Sequence, residues 1–521
     1  MNFIRKIRPL GPTSLMLALL LLPGCVAQVA HDQHVENRNV SDPVFVTGYK
    51  HIYDKYIEPL DMGEVALNGL KTISDIDPGL NVSRAGGRVQ LLHGDAMVSD
   101  FTSPHATDID GWALVTTEII SAGRGVSKSL DNKGNEEVYK AVFKGALEGL
   151  DGHSRYASAA SARHNRAMRD GFGGIGIRLS FGNGEVKVVS VMADTPAQEA
   201  GLKANDVITE IDGLSTKGLR QDEVVARLRG PVETEVQVMV VRKGLANALD
   251  VSITRAHIVV STIRYTRKGS IAHIRVTSFN HNTAHSLAHA IKQTKEEIGA
   301  ELKGIVLDMR DNPGGLLNQA VAVADVFLTS GRIVSTRGRH PDSMQVFDAG
   351  GDDLAVGIPL VVLVNGHSAS AAEVAAAALQ DQGRAILIGS NSFGKGTVQN
   401  ITRLPNGGEI ILTWSRLYTP SGYALHNLGV LPTICTSGEK QSVSGLIAKL
   451  RQGRLRIAAA VRAAWRKGAG IKDEQLEKLR QTCQANEDST ELDLKLAMRI
   501  LESRQLYARA LKLTETAEAR P

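Results

Sequence analysis

Apolar and polar residues change rhythm several times along the chain, and the changes divide it. A short apolar run, Leu15 to Leu22, follows Arg5, Lys6 and Arg8. From Val44 to Leu70 the pattern is helical, and residues 80–135 are rich in Gly and Ser and mix their periods. Tyr139, Phe143, Ala146, Leu147 and Leu150 then share one face at a 3.6-residue period, which predicts a helix. Between 171 and 257 short β-type runs (Glu185–Val191, Val207–Ile211, Val236–Val241) alternate with turns and enclose one predicted helix at about 220–228. Between 258 and 430 the apolar runs Ile305–Leu307, Leu360–Val364 and Ile386–Ile388 alternate with predicted helices at about 283–298, 316–328 and 371–380. Continuous apolar runs bounded by turns are the mark of strands buried on both faces, so this part reads as α/β. Residues 440–515 are helical by composition.

Composition narrows the function classes. The chain has 521 residues, 43% hydrophobic and 22% charged, which fits two to four globular domains and excludes a largely disordered protein. Aromatics are only 4% and the net charge is +5, so neither base stacking nor a polyanion-binding field is supported, and no nucleic-acid partner is expected. Three cysteines exclude a disulfide-dense scaffold and a four-cysteine metal cluster.

The basic start and apolar run have the form of an export signal, too short to span a bilayer as a mature helix. The run ends in Leu22-Pro23-Gly24-Cys25, which resembles a bacterial lipobox with Cys25 as the lipidated residue; a plain secretory signal is the alternative. The expected location is the bacterial cell envelope, periplasm-facing and lipid-anchored. Val26 after the cysteine favours the outer membrane. Export also leaves Cys435 and Cys483 as an even pair in an oxidising space, either bridged or as two separate thiols. Arg451, Arg454, Arg456, Arg462, Arg466 and Lys467 form a basic run, read as a solvated face or as a contact to an anionic surface.

The chemistry gathers in three segments. After the Leu360–Val364 run comes Asn365-Gly366-His367-Ser368-Ala369-Ser370, then the small-residue helix. Ser370 therefore stands at a helix N-terminus, where free N–H groups favour a developing oxyanion. Ser370-x-x-Glu373 equally fits a structural capping box. Lys395, between Gly394 and Gly396, follows the Ile386–Ile388 run and is a candidate desolvated amine. Reaching a pKa of ~7–8 takes roughly 3–4 kcal/mol of destabilisation of the charged form. Arg310-Asp311-Asn312-Pro313-Gly314-Gly315 follows the third run, and its glycines let backbone amides approach a ligand, or merely make a turn. Gly389-x4-Gly394-Lys395 lacks the Ser or Thr of a phosphate loop, and Gly171–Gly176 follows no strand, so neither is a nucleotide site. His367 keeps a Ser-His-Asp arrangement open by residue type.

Together these blocks resemble the carboxyl-terminal processing, or tail-specific, serine peptidases. The resemblance runs from about Val44 to Thr436 and also covers Leu150-Asp151-Gly152-His153-Ser154, Leu379-Gln380-Asp381, Tyr418-Thr419-Pro420-Ser421-Gly422 and Gly429-Val430-Leu431-Pro432. Gly152 stands where the family usually has proline and Ala372 where many members have serine. Residues 80–135 look like an insertion. The resemblance implies Ser370 as nucleophile, Lys395 as general base, Gln399 as the group positioning the lysine, and Asp381 as structural. Amides of Gly314, Gly315 and Ala371 would hold the oxyanion. No metal and no cofactor is required. It implies a crotonase/ClpP-like α/β core with an inserted, mainly β PDZ domain and helical N- and C-terminal regions.

The implied boundaries are 1–25 signal, 26–170 N-terminal helical region, 171–257 PDZ domain, 258–436 peptidase core and 437–521 C-terminal helical region. Gly174, Ile175, Gly176 and Ile177 would form the PDZ carboxylate-binding loop. Expected partners are proteins or peptides with apolar C-termini and, through the anchor, the membrane. An adaptor protein and self-association stay open. The alternatives to a peptidase are a non-catalytic PDZ adaptor with a protease-like fold and, less supported, a cell-wall hydrolase.

Overall fold

The computed structural model describes residues 41–438 apart from 183, together with 441–455, 464–465, 473–486 and 491–514. Cys25, the apolar run before it and the basic residues Arg456 to Lys467 lie outside the described residues.

The helical pattern from 44 to 70 is two helices, Pro43–Lys55 and Met62–Lys71. Pro59 lies in the break, and a proline can neither donate to nor continue a helix. Asp42 and Asp61 cap the two starts, each accepting the N–H two residues on at 2.8 and 2.7 Å. Within the N-terminal helical region, the stretch from 80 that reads as an insertion begins with a small sheet. Leu80–Ala85, Arg88–His93 and Ala96–Thr102 form a three-stranded antiparallel sheet before the helix Ile109–Val126. The positive-φ pair Gly86-Gly87 makes its first turn, which is why a Gly-rich stretch folds as a hairpin there. The helix Asn135–Glu148 buries Tyr139, Phe143, Ala146 and Leu147, the face its periodicity predicts.

Residues 177–254 form an antiparallel sheet whose main path runs Leu249–Thr254, Glu235–Val241, Val207–Ile211, Glu185–Val191, Ile177–Gly182. Ile177–Gly182 is an edge strand, and the helix Gln221–Leu228 lies beside it across a groove of about 210 Å³.

The core sheet runs in the order Ile263–Lys268, Ile271–Val276, Gly304–Asp308, Leu360–Val364, Ile386–Gly389, Ile434–Cys435, parallel from its second strand onward. Alternate residues of the buried strands serve opposite layers. Ile305, Leu307, Val362 and Leu387 pack under the helices Thr283–Ile298, Leu317–Asp325 and Ala371–Asp381. Val306, Val361, Leu363 and Ile388 pack against Leu446, Leu496 and Ile500 of the C-terminal helices. That double cover explains the unbroken apolar runs. A second sheet, Gln345–Asp348, Arg332–Arg337, Glu409–Tyr418, Thr397–Arg403, carries Arg155–Ala157 on its long strand. Cys435 and Cys483 are joined by a disulfide. No helix among the described residues is long and apolar enough to cross a membrane.

Candidate active site

Three adjacent parallel strands set the site. Gly304–Asp308 leads into Arg310–Gly315, Leu360–Val364 into Asn365–Ser370, and Ile386–Gly389 into Ser392–Lys395. The three sequence blocks therefore meet at one carboxyl edge of the sheet, the place where open α/β sheets bind ligands. Hydrogen bonds stitch the loops together. Asp311 N–H donates to Asn365 Oδ1 at 2.9 Å, Ala369 N–H to the Asn312 carbonyl at 2.9 Å, and Phe393 N–H to the Ser368 carbonyl at 3.0 Å.

Ser370 caps its helix with φ 55° and ψ −115°, a region non-glycine residues rarely enter. Its hydroxyl makes no cap hydrogen bond, which leaves the oxygen available to the cleft. Glu373, fully buried, accepts four hydrogen bonds: Ser370 N–H at 2.7 Å and Lys395 N–H at 2.9 Å on Oε2, Ser392 Oγ at 2.5 Å and Gly394 N–H at 2.7 Å on Oε1. Burial pushes its carboxyl above the usual range, and the four donors pull against that shift. The Glu373 half of the cap motif is thus formed, and its carboxylate also reaches the lysine loop.

Lys395 is half-buried, and its amine makes no hydrogen bond or ion pair among the described residues. Burial, and then the nearby Arg155 guanidinium, hold its pKa below the usual lysine value; Glu373 and Asp151 oppose them. Gln399 does not hold the lysine as expected. Its amide donates to the hydroxyls of Thr397 at 2.9 Å and Thr413 at 3.4 Å. A bulge between Val398 and Gln399 interrupts the side-chain alternation of the strand between the two residues. Thr413 in turn donates to Asp151 Oδ1 at 3.0 Å, so the Leu150–Ser154 motif braces Gln399 from below.

The expected oxyanion trio is narrowed. Gly314 N–H already donates to Asn312 Oδ1 at 2.9 Å, which removes it as a free donor. The amides of Gly315 and Ala371 make no hydrogen bond among the described residues. Gly315 has φ 146°, and a Cβ there would lie 2.1 Å from the Phe279 carbonyl oxygen, so only glycine fits. Ser370, Ala371, Gly315, Lys395 and Gln399 line one cleft of about 410 Å³ with Met168, Phe279, Leu316, Leu317, Ile401 and Ile411. A larger cavity of about 840 Å³ lies at the amino ends of the same strands, near Lys303, Pro359 and Arg384, away from these groups. His367 is exposed, with Nδ1 3.7 Å from Asp311 Oδ1. Asp381 accepts from Ser421 N–H and Oγ at 3.0 and 2.7 Å, holding the Tyr418–Gly422 turn to the helix end.

In the 171–257 module, Ile175 and Gly176 link the short strand Phe172–Gly174 to the edge strand. Gly176 has φ 85°, and a Cβ there would strike Thr195 at 2.4 Å. Gly174, Ile175, Gly176 and Ile177 all line the groove under the helix Gln221–Leu228, with Leu179, Phe181, Val225 and Leu228.

A family model described as peptidase family S41 matches residues 270–436, and one described as PDZ domain matches residues 173–253. A carboxy-terminal-processing protease of Bartonella bacilliformis is 43% identical over 302 residues, 58% of this chain and 70% of that protein. This chain belongs to the carboxy-terminal-processing proteases of peptidase family S41. The carboxy-terminal processing protease CtpA of Bacillus subtilis is 36% identical over 303 residues, and the chain spans 64% of that relative. A solved photosystem II D1 C-terminal processing protease covers 75% of this chain and 92% of its own at 23% identity, with TM-score 0.37. As a family S41 member the chain is a serine-type peptidase. Its core is α/β of the crotonase/ClpP-like sort, with a PDZ module and helical regions at both ends.

Sequence reasoning passed over Glu373 and Arg155 as parts of the protease site. Glu373 carried a signal: an acid inside a helix whose residues 371–380 are otherwise small or apolar until Gln380 must find partners if that helix is buried. Arg155 carried none beyond its place after the Leu150–Ser154 motif.

Proposed function

We propose that this protein is a lipid-anchored, envelope-facing endopeptidase. It takes proteins with apolar C-terminal tails through its PDZ domain and cuts them by a Ser370–Lys395 dyad. The observation that carries this reading is the meeting in one cleft of the Ser370 hydroxyl, the Lys395 amine with its lowered pKa, and the uncommitted amides of Gly315 and Ala371. Export and anchoring rest on the Leu22–Cys25 lipobox.

Ser370 Oγ attacks the scissile carbonyl carbon while neutral Lys395 Nζ takes its proton. The negative charge moves to the carbonyl oxygen, which the Gly315 and Ala371 N–H groups and the helix N-terminus stabilise. As the tetrahedral centre collapses, Lys395 returns the proton to the leaving amine and the acyl group stays on Ser370. Water then attacks the ester with Lys395 again accepting the proton. The serine hydroxyl is restored and a new carboxylate leaves. Gln399, anchored on Thr397 and Thr413, forms part of the cleft wall beside the lysine. Upstream, the edge strand Ile177–Gly182 would pair with an incoming tail, whose terminal carboxylate would meet the Ile175–Gly176 amides. The apolar groove lining suits an apolar tail.

Labelling with a fluorophosphonate, followed by peptide mapping, tests the site directly. Modification of Ser370 in the wild type and its loss in Lys395→Ala are expected. A label on any other serine, or equal labelling without the lysine, contradicts the dyad.

A further inference from the structure

We infer that Arg480 is a positioning residue for Lys395 and that the Cys435–Cys483 disulfide holds Arg480 in place. This rests on the reading of Lys395 as general base. Arg480 ends the helix Asp473–Arg480, outside the peptidase family match. Its guanidinium donates to four backbone carbonyls. Nη1 reaches Asn427 O at 3.1 Å and Leu428 O at 2.8 Å, and Nη2 reaches Ser392 O and Phe393 O, both at 3.3 Å. Two of these carbonyls belong to the loop that delivers Lys395, and the other two to the segment packed against it. Asn427 N–H donates back to the Gly394 carbonyl at 2.9 Å, closing the arrangement.

The fit is tight. A Cβ on Gly394, whose φ is 93°, would lie 2.9 Å from Arg480 Nη1. An ammonium cannot reproduce this fork, because a lysine carries one compact donor head in place of two diverging nitrogens.

Three residues on, Cys483 is buried and bridged to Cys435. Cys435 lies on the edge strand that pairs with Gly389, the last residue of the strand leading into the Lys395 loop. The bridge therefore fastens the Arg480 segment to the same strand end from which the catalytic loop departs. Without it that segment is tethered covalently only through the 48-residue chain separation. Glu373 holds the loop from the Ser370 side and Arg480 from the opposite side.

The test is a cycle of three proteins beside the wild type: Arg480→Met, the double variant Cys435→Ser/Cys483→Ser, and all three changes together. Each is checked for a cooperative thermal transition and assayed on an unfolded carrier protein bearing an apolar C-terminal tail. Expected are a kcat at least 10-fold lower in Arg480→Met at unchanged KM, and an acid limb of the kcat/KM profile moved to higher pH as water reaches the amine. The bridge variant should show the same two changes, and adding Arg480→Met to it should cost less than a further 2-fold. If Arg480→Met does not fold, Arg480→Lys, which keeps the stem and charge, is expected to show the lowered kcat and the moved limb. Wild-type kcat and pH profile in Arg480→Met, with Lys395→Ala inactive, would overturn this inference alone. Effects of bridge and arginine that multiply would overturn the tether. Full activity in Lys395→Ala would instead overturn the reading of the dyad beneath it.

Discussion

Ser370 and Lys395 are fastened to each other by their backbones through a single atom: Glu373 Oε2 accepts both N–H groups, at 2.7 and 2.9 Å. The nucleophile and the base follow different strands, 25 positions apart, and no hydrogen bond joins their side chains among the described residues. A buried carboxylate with four donors joins their backbones instead.

Glu373→Gln is therefore expected to lower kcat by roughly 100-fold, the scale of a displacement of about 1 Å at a reacting pair. The amide would turn an NH2 toward donors that need an acceptor, at a cost of about 1–3 kcal/mol in stability. Steady-state kinetics and thermal unfolding of the same preparation check both. A variant with normal kcat would show that the tie does not set the dyad.

Activity should rise with pH as Lys395 loses its proton, with a midpoint below that of an ordinary lysine because burial and Arg155 disfavour the charged form. Removing a repelling positive charge raises a lysine pKa. Arg155→Met is thus expected to move the acid limb of kcat/KM to higher pH and to lower activity at neutral pH. Because Arg155 is exposed, added salt should move the wild-type limb the same way. Profiles recorded at two ionic strengths decide this, and a limb that stays in place in the variant counts against it.

Arg310 joins Asp308, which is fully buried, to Asp493 of the C-terminal helix, at 2.8 and 3.1 Å. Arg310→Met leaves two buried carboxylates short of a partner, at a cost of ~3–5 kcal/mol. Burial raises the Asp308 pKa, but the hydrogen bonds of Arg310 and His273 more than offset it and hold the carboxyl well below the usual range. A depressed folded pKa contributes stability that is present above the unfolded value and is lost as pH falls below it. Wild-type Tm should accordingly drop below about pH 4, the ordinary carboxylate range, and Asp308→Asn should flatten that drop. An equal acid drop in Asp308→Asn would assign it to other carboxylates.

In the PDZ groove, the amides of Ile175 and Gly176 are proposed to take the tail carboxylate. Amidating the C-terminus of a tail peptide should weaken its binding to Ser370→Ala protein at least 10-fold, read by fluorescence anisotropy. Equal affinity for acid and amide would mean that the groove reads side chains alone.

The parts legible in the sequence were those with local causes. The strands at 360–364 and 185–191 and the helix at 283–298 carry their boundaries in apolar runs and turn residues, and they fold with those boundaries. Ser370 and Lys395 stood out because each follows such a strand. The rest turned on side-chain partners and backbone irregularities that the residue pattern does not display. Gln399 was placed beside the lysine by the resemblance, and its amide turns to Thr397 and Thr413 on a bulged strand. Gly314 was counted as a donor because glycine permits close approach, but the Asn312 side chain two residues back takes its N–H. The helical pattern over 44–70 folds as helices, divided at the segment that holds Pro59. Arg480 and Asp493 meet partners 52 to 183 positions away, and no local pattern marks such pairs.

Cleavage of an unfolded carrier protein with an apolar C-terminal tail, by wild type, Ser370→Ala and Lys395→Ala proteins each shown to be folded, tests the central claim most directly. The dyad predicts turnover in the wild type and none in either variant, with the tail still bound by all three. Turnover in Ser370→Ala equal to the wild type would contradict the nucleophile, and turnover in Lys395→Ala equal to the wild type would contradict the base.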